Sequence, residues 1–295
     1  MLIREPAVAG SFYPGDRSGC LALLNDCERV ANENQETPAV GRIAGGVVPH
    51  AGWICSGAVA AGVFEAISSQ RQPAVAIVFG AIHVPARESQ AYLFPSGAWR
   101  TPLGDVPVNE PVGERICERS ALVTCEAAIH AREHSIEVEV PFLQHLLPQT
   151  QIVPIMVPVV EVAAQMGVAA AQACRDFGID AIFLASTDLT HYGPSYRFMP
   201  HGVGPEGLAW AKEVNDRRMI DLMLAMREGD VVAEARANQN ACGPGAVAAT
   251  IAACRTYGAG RASLLQHTTS YEVLKERYQE PARDAVGYAG VIFHE

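Results

Sequence analysis

The stretch VVPHAGWICSG, Val47 to Gly57, carries an apolar run into a histidine and then into small residues. Just upstream the run reads IAGGVV to Val48, and three others share its form: AVAIVF ending at Phe79, IVPIMVPV from Ile152, and DAIFLAS ending at Ser186. Short, continuous apolar runs are the mark of strands buried on both faces. Helical patterns lie between them, at Gly57 to Ser69, Glu110 to Arg119, Ser135 to Leu147 and Val160 to Phe177. This alternation predicts an α/β fold with a central, mainly parallel sheet flanked by helices. Further helices are expected over Leu208 to Met226, over Val231 to Asn238, and from just after NACGPG to about Tyr257. Strands should follow at Arg261 to Thr268 and Ala285 to Phe293.

Punctuation between these elements is informative. GAWRTPLGDVPVN, from Gly97, reads as a hairpin with Asp105 as a turn former. HYGPSYRFMPHGVGPEG reads as a long loop able to cover a pocket, and ANENQETP near residue 34 as a surface loop. With no internal repeat or interdomain linker, residues 1–295 are read as a single domain.

Composition narrows the function classes. With 49% hydrophobic and 18% charged residues, the chain has ample apolar surface for a packed core. The 22 Lys and Arg against 32 Asp and Glu leave a net charge of -10, which repels a phosphate backbone and argues against nucleic acid as a partner. No run approaches the roughly 20 apolar residues that span a bilayer, and MLIREPAVAG lacks the core of a signal peptide, so a cytoplasmic protein is expected. The eight cysteines form no C-x-x-C pair, which argues against a zinc ribbon, a thioredoxin motif or a disulfide framework. Most should be reduced and buried.

Chemistry gathers where the strands end. The first run exits to His50, the second to His83, and the last to Asp188 and His191. In a parallel sheet these exits share one edge, so distant residues can line one pocket. Imidazole with carboxylate or thiolate is the ligand set that suits iron, copper or zinc. Cys242 differs from the other cysteines because Gly-Pro-Gly follows it at a helix start, where free N–H groups stabilise a thiolate. In AREHSIEVEVPFLQHLLP, His134 and Glu137 are candidates to support a ligand or substrate, whereas Glu139 reads as part of an exposed face. His130, His145, His201, His267 and His294 have no comparable setting. No G-x-G-x-x-G after a strand, P-loop or G-x-S-x-G elbow is present, so nucleotide binding and serine-hydrolase chemistry lack support.

These segments together resemble the Memo family, also called AmmeMemoRadiSam system protein B. The likeness runs in order through REPAVAGSFYPGD, PHAGWICSG, GAIHV, TPLGDVPV, EHSIEVEVPFL, STDLTHYG, NACGPGA and GYAGVIF, and so covers essentially the whole chain. The resemblance implies a fold like that of the LigB-type, class III extradiol dioxygenases, which open catechol rings at a non-haem iron. By motif, the two ligand histidines fall at His50 and His83, and the third ligand position falls at Cys242, where a thiolate replaces the carboxylate. A softer donor of this kind retunes iron or favours copper or zinc. Asp188 is then a fourth or alternative ligand, His191 the acid or base, and His134 a support for a bound oxygen-bearing group. The resemblance also implies AMMECR-type and radical SAM proteins as partners.

Three functions follow from this reading. The first is oxidation of a small aromatic or diol substrate at a dioxygenase-like centre. The second is a non-catalytic scaffold that handles metal or redox equivalents or binds peptides. The third is metal-free nucleophilic catalysis by Cys242 with His191 as its base, which requires the two side chains within about 3 to 4 Å.

Overall fold

Four apolar runs become four neighbouring parallel strands, and their order explains why their ends meet. In the computed structural model, which describes residues 1–34, 38, 40–87, 89–278 and 283–295, the strands are β1 (Ile3–Arg4), β2 (Ile43–Val48), β3 (Val75–Gly80), β4 (Ala91–Leu93), β5 (Ala98–Thr101), β6 (Gly104–Pro107), β7 (Val123–Cys125), β8 (Gln151–Met156), β9 (Ala181–Ser186), β10 (His191–Tyr192), β11 (Arg261–Thr269) and β12 (Ala285–His294). The main sheet runs β10-β12-β2-β9-β3-β8-β4-β7, with β11 on the other side of β12. β2, β9, β3 and β8 are parallel, whereas β12 runs antiparallel to β2 and β4 antiparallel to β8. The sheet is therefore mainly parallel at its centre, with antiparallel flanks. β5 and β6 form the expected hairpin and join β1 in a separate small sheet.

The helices are α1 (Arg17–Asn34), α2 (Trp53–Ser68), α3 (Glu110–Arg119), α4 (Val140–Leu146), α5 (Ala163–Asp176), α6 (Pro205–Trp210), α7 (Arg217–Leu224), α8 (Val231–Asn238), α9 (Pro244–Thr256) and α10 (Ser270–Tyr278). Side-chain alternation splits each central strand between two cores. Val75, Ile77 and Phe79 of β3 enter the core shared with α5 and α9, while Ala76 and Val78 enter the one shared with α2 and α4. Both faces are covered, which is why these strands read as unbroken apolar runs. Among the described residues no helix is long and apolar enough to cross a membrane.

Several local expectations change. α2 begins at Trp53, four residues before the start read at Gly57, because the small residues after His50 already form its N-terminus. The helix expected over Ser135 to Leu147 is a 3-10 turn at Glu137–Glu139 followed by α4. The segment Leu208 to Met226 is divided by a π-helical turn at Ala211–Asp216. Of ANENQETP, Ala31 to Asn34 is the last turn of α1, and residues 35–37 lie outside the described residues. Asp105 belongs to strand β6, where it accepts a 2.8 Å hydrogen bond from Arg100 Nε across the hairpin. Cys117 and Cys125 form a disulfide, although neither their spacing nor their surroundings marks them as a pair in the sequence.

Candidate metal centre

β9 lies between β2 and β3, so the loop leaving Ser186 is flanked by the two loops that carry His50 and His83. The segment before α4 brings in His134. The imidazoles of His50, His83 and His134 form a group whose ligand atoms all lie within 4.8 Å of one another. Ring centroids are 5.2 Å apart for His50 and His83, 5.4 Å for His50 and His134, and 4.8 Å for His83 and His134. His50 is buried, His134 half-buried and His83 the most exposed.

Two imidazoles are fixed through their Nδ1 atoms. Ser186 Oγ lies 2.6 Å from Ser135 O and 2.9 Å from His50 Nδ1. Its one proton goes to the carbonyl, so the hydroxyl accepts from His50 Nδ1–H and leaves Nε2 as the nitrogen that faces Cys242. His83 Nδ1–H donates to Glu133 Oε1 at 3.1 Å. Glu133 also accepts the backbone N–H groups of His83 at 2.6 Å and of His134 and Ser135 at 2.8 Å each. A buried carboxylate that orients a histidine through its second nitrogen is the usual support of a metal-binding imidazole.

Cys242 stands just before α9, with its sulfur 3.2 Å from His50 Nε2. The backbone N–H that reaches the sulfur is that of Asp188, at 3.2 Å, from the strand-exit loop; a helix N-terminus was expected to supply it. Gly243 allows this approach, because a Cβ there would lie 2.8 Å from Ser186 O. Asp188 Oδ1 accepts the His50 backbone N–H at 2.8 Å, tying the two loops together. His191 Nδ1–H donates to Leu189 O at 3.1 Å, which leaves its Nε2 as the acceptor.

Charge follows this geometry. Burial works against a charged His50, but the charges of Cys242 and Asp188 outweigh it and hold the imidazole up at about 10. The Cys242 thiol is raised by burial yet ends well below its ordinary value, because His50 and His83 favour the thiolate. Burial, reinforced by the His50 charge, pushes His134 down to about 4 and keeps it neutral. Burial raises Asp188, partly offset by His50. Each donor must be unprotonated to bind a metal, so His134 is ready while His50 has a proton to release.

A cavity of about 590 Å³ opens over these groups, with Phe12, His134, His191, Tyr196 and Tyr288 among its walls. Tyr196 comes from the loop expected to cover a pocket. Glu137 lies elsewhere: its carboxylate pairs with Arg4 and accepts from Ala7 N–H at 2.8 Å, Val8 N–H at 2.9 Å and Tyr13 O–H at 2.8 Å, pinning the N-terminal segment. Glu139 is fully buried, not exposed, because the 3-10 turn points it at Ser186 Oγ, 3.2 Å away. Glu133 is the site residue that sequence reasoning passed over. Its one signal is its place next to His134 in AREHSIEVEV.

Imidazoles and a cysteine sulfur gathered at the carboxyl edge of a parallel sheet define an α/β protein with a candidate metal centre. The chain belongs to the Memo family, matching the family described as Memo-like protein over residues 4–292. It is 35% identical over 302 residues to a MEMO1 family protein of Thermococcus onnurineus, covering 100% of both chains. It is 37% identical over 294 residues to one of Methanothermobacter thermautotrophicus, covering 98% of this chain and 99% of that one. A crystal structure of the uncharacterized protein JW3007 from Escherichia coli K12 aligns with a TM-score of 0.49 at 13% identity, covering 79% of this chain and 91% of that one.

Proposed function

We propose that this Memo-family protein binds a transition metal through His50, His83 and Cys242, with Asp188 beside the centre, and oxidises a small aromatic or diol substrate in the manner of a non-haem dioxygenase. The observation that carries the metal reading is the convergence of the His50, His83 and His134 imidazoles within 4.8 Å, and the Cys242 sulfur joins them through its 3.2 Å approach to His50 Nε2. Its support is the commitment of two Nδ1 atoms to Ser186 and Glu133, which leaves the second nitrogen of each ring as the atom that would bind a metal once unprotonated. The donor set fits iron, with copper and zinc as alternatives, and is poor for an oxygen-seeking ion such as calcium. Bound there, the metal supplies Lewis acidity and a route for electrons between substrate and oxygen.

The protein groups divide the remaining work. His191, with Nδ1–H committed to Leu189 O, offers Nε2 as the acceptor for a substrate hydroxyl proton. His134, held neutral, accepts or donates a hydrogen bond to a bound oxygen without adding charge. Its ring packs against Phe12 at 5.0 Å, and His191 meets Tyr196 edge-on at 5.0 Å, so the cavity has aromatic walls suited to a planar substrate. The imidazole against the sulfur is that of His50, which argues for a shared metal centre over a Cys242–His191 nucleophile pair.

The test is metal analysis of anaerobically purified protein beside His50→Ala and Cys242→Ala, followed by oxygen uptake with a panel of catechols. Metal loss in both variants and uptake that depends on His191 are expected. Full metal occupancy in both variants removes the metal centre. Metal binding without oxygen uptake assigns the chain to the non-catalytic metal- or redox-handling scaffolds.

A further inference from the structure

The π-helical turn Ala211–Asp216 ends in two polar residues, Asn215 and Asp216, that are 0% and 1% exposed. An α-helix rotates about 100° between neighbours and would turn one of them away. The wider winding of a π-turn reduces that divergence, and such turns often mark functional sites. Here both side chains grip Thr190. Asp216 Oδ1 accepts the Thr190 backbone N–H at 2.9 Å, and Asn215 Nδ2 donates to Thr190 Oγ1 at 3.1 Å.

Asn215 also reaches a second loop. Its Nδ2 donates to Asn238 O at 2.9 Å, and its backbone carbonyl accepts from Asn240 Nδ2 at 2.9 Å. Thr190 lies between Asp188 and His191, and Asn240 lies two residues before Cys242. The two loops already touch where Cys242 N–H donates to Asp188 O at 3.2 Å. The π-turn therefore closes a ring around the junction of the loops that carry Asp188, His191 and Cys242. Two further features hold Asp216 in place. His267 Nε2 lies 3.1 Å from its Oδ2, and Gly287 leaves room for it, since a Cβ there would sit 2.0 Å from that oxygen.

We propose that Asn215 and Asp216 are positioning residues: the π-turn sets the separation between the Asp188–His191 loop and the Cys242 loop, and with it the placement of the sulfur against His50 and His83. This inference rests on the metal reading above for its consequence, though not for its geometry. Neither residue lines the cavity.

The experiment loads the full-length protein with cobalt(II) and follows both affinity and the thiolate-to-cobalt charge-transfer absorption. In parallel it measures the rate at which iodoacetamide alkylates Cys242 in the metal-free protein. The variants are Asn215→Ala, Asp216→Ala, Asp216→Asn and Thr190→Val, the last removing only a hydroxyl. Ile116→Ala, in α3 and away from both loops, is the control for lost stability. Asn215→Ala and Asp216→Ala should lose about 10- to 100-fold in cobalt affinity, as removal of groups supporting metal ligands does. They should also lose at least about half of the charge-transfer intensity, and their Cys242 alkylation rate should change about fivefold as its surroundings change. Asp216→Asn keeps an acceptor for Thr190 N–H and should stay near wild type. If the alanine variants fail to fold, Thr190→Val carries the same test with a smaller shift. Affinity, absorption and alkylation that change no more than in Ile116→Ala overturn the proposal. A wild-type protein that takes up no cobalt overturns the metal reading instead, and the alkylation comparison still decides the positioning role.

Discussion

Replacing Glu133 by glutamine keeps the side chain's shape but removes the charge that four donors share. Burial alone raises a carboxylate, yet the hydrogen bond and charge of His83, with the backbone N–H groups of Ser135 and His83, depress Glu133 from 4.5 to about 2. At 1.36 kcal/mol per pH unit this corresponds to about 3 kcal/mol of stability. The His83 side chain is 31% exposed, so water screens its share and about 2 kcal/mol is the working figure. The sign follows from the depression: the contribution is fully present above about 4.5 and is lost as pH falls through about 2. Urea unfolding of wild type and Glu133→Gln should therefore differ by about 2 kcal/mol at pH 7, and by about half of that at pH 3. Metal affinity should fall about 10- to 100-fold, because the amide no longer carries the charge that orients His83 and turns one of the two accepting oxygens into a donor. An equal stability gap at both pH values would refute the electrostatic account and reduce Glu133 to a packing residue.

Glu139 should behave in the opposite way. Burial raises it well above its ordinary value, so its stabilising contribution is complete below about 4.5 and declines as pH rises toward the folded-state value. Glu139→Gln mimics the protonated form, and its urea midpoint should gain on wild type between pH 5 and pH 8; a constant difference contradicts the burial argument. Arg4→Met leaves the Glu137 carboxylate buried without its cation and should cost about 3 to 5 kcal/mol, the usual penalty for breaking a buried pair. Limited proteolysis should then cut within residues 5–13, and an N-terminal segment as resistant as in wild type would show that the backbone bonds to Glu137 suffice.

The central sheet was legible because burial on both faces leaves every residue of β2, β3, β8 and β9 apolar except Gln151 and Ser186 at strand ends, and this pattern survives any detail of packing. The convergence of His50, His83 and Asp188 was legible for a related reason: parallel strands put their exits on one edge. What the sequence leaves hidden depends on partners far along the chain. α1 carries its charged residues at Arg17 and from Asp26 onward, and its apolar face becomes visible only when Cys20, Leu24 and Cys27 pack in the core beside α2. The disulfide depends on the return of β7 past the end of α3. The π-turn is one residue's worth of extra winding inside an otherwise helical pattern, and periodicity cannot resolve it.

Glu133, Glu137 and Glu139 make the same point within seven residues. All three side chains are buried, at 1%, 1% and 0% exposure, yet each meets a different set of donors. Glu133 is met by three backbone N–H groups and an imidazole, and so becomes the anionic support of His83. Glu137 is met by Arg4, Tyr13 and two N-terminal N–H groups, and becomes an anchor. Glu139 meets only Ser186 Oγ, at 3.2 Å, among the described residues, so burial prevails and raises its carboxyl well above the ordinary value. Local spacing cannot distinguish the three, because most of the donors arrive from residues 4–13, from the β3 exit and from β9. The function of a buried acid here is thus decided by what the rest of the chain offers it, and the proposed metal centre depends on Glu133 receiving enough donors to stay ionised beside His83.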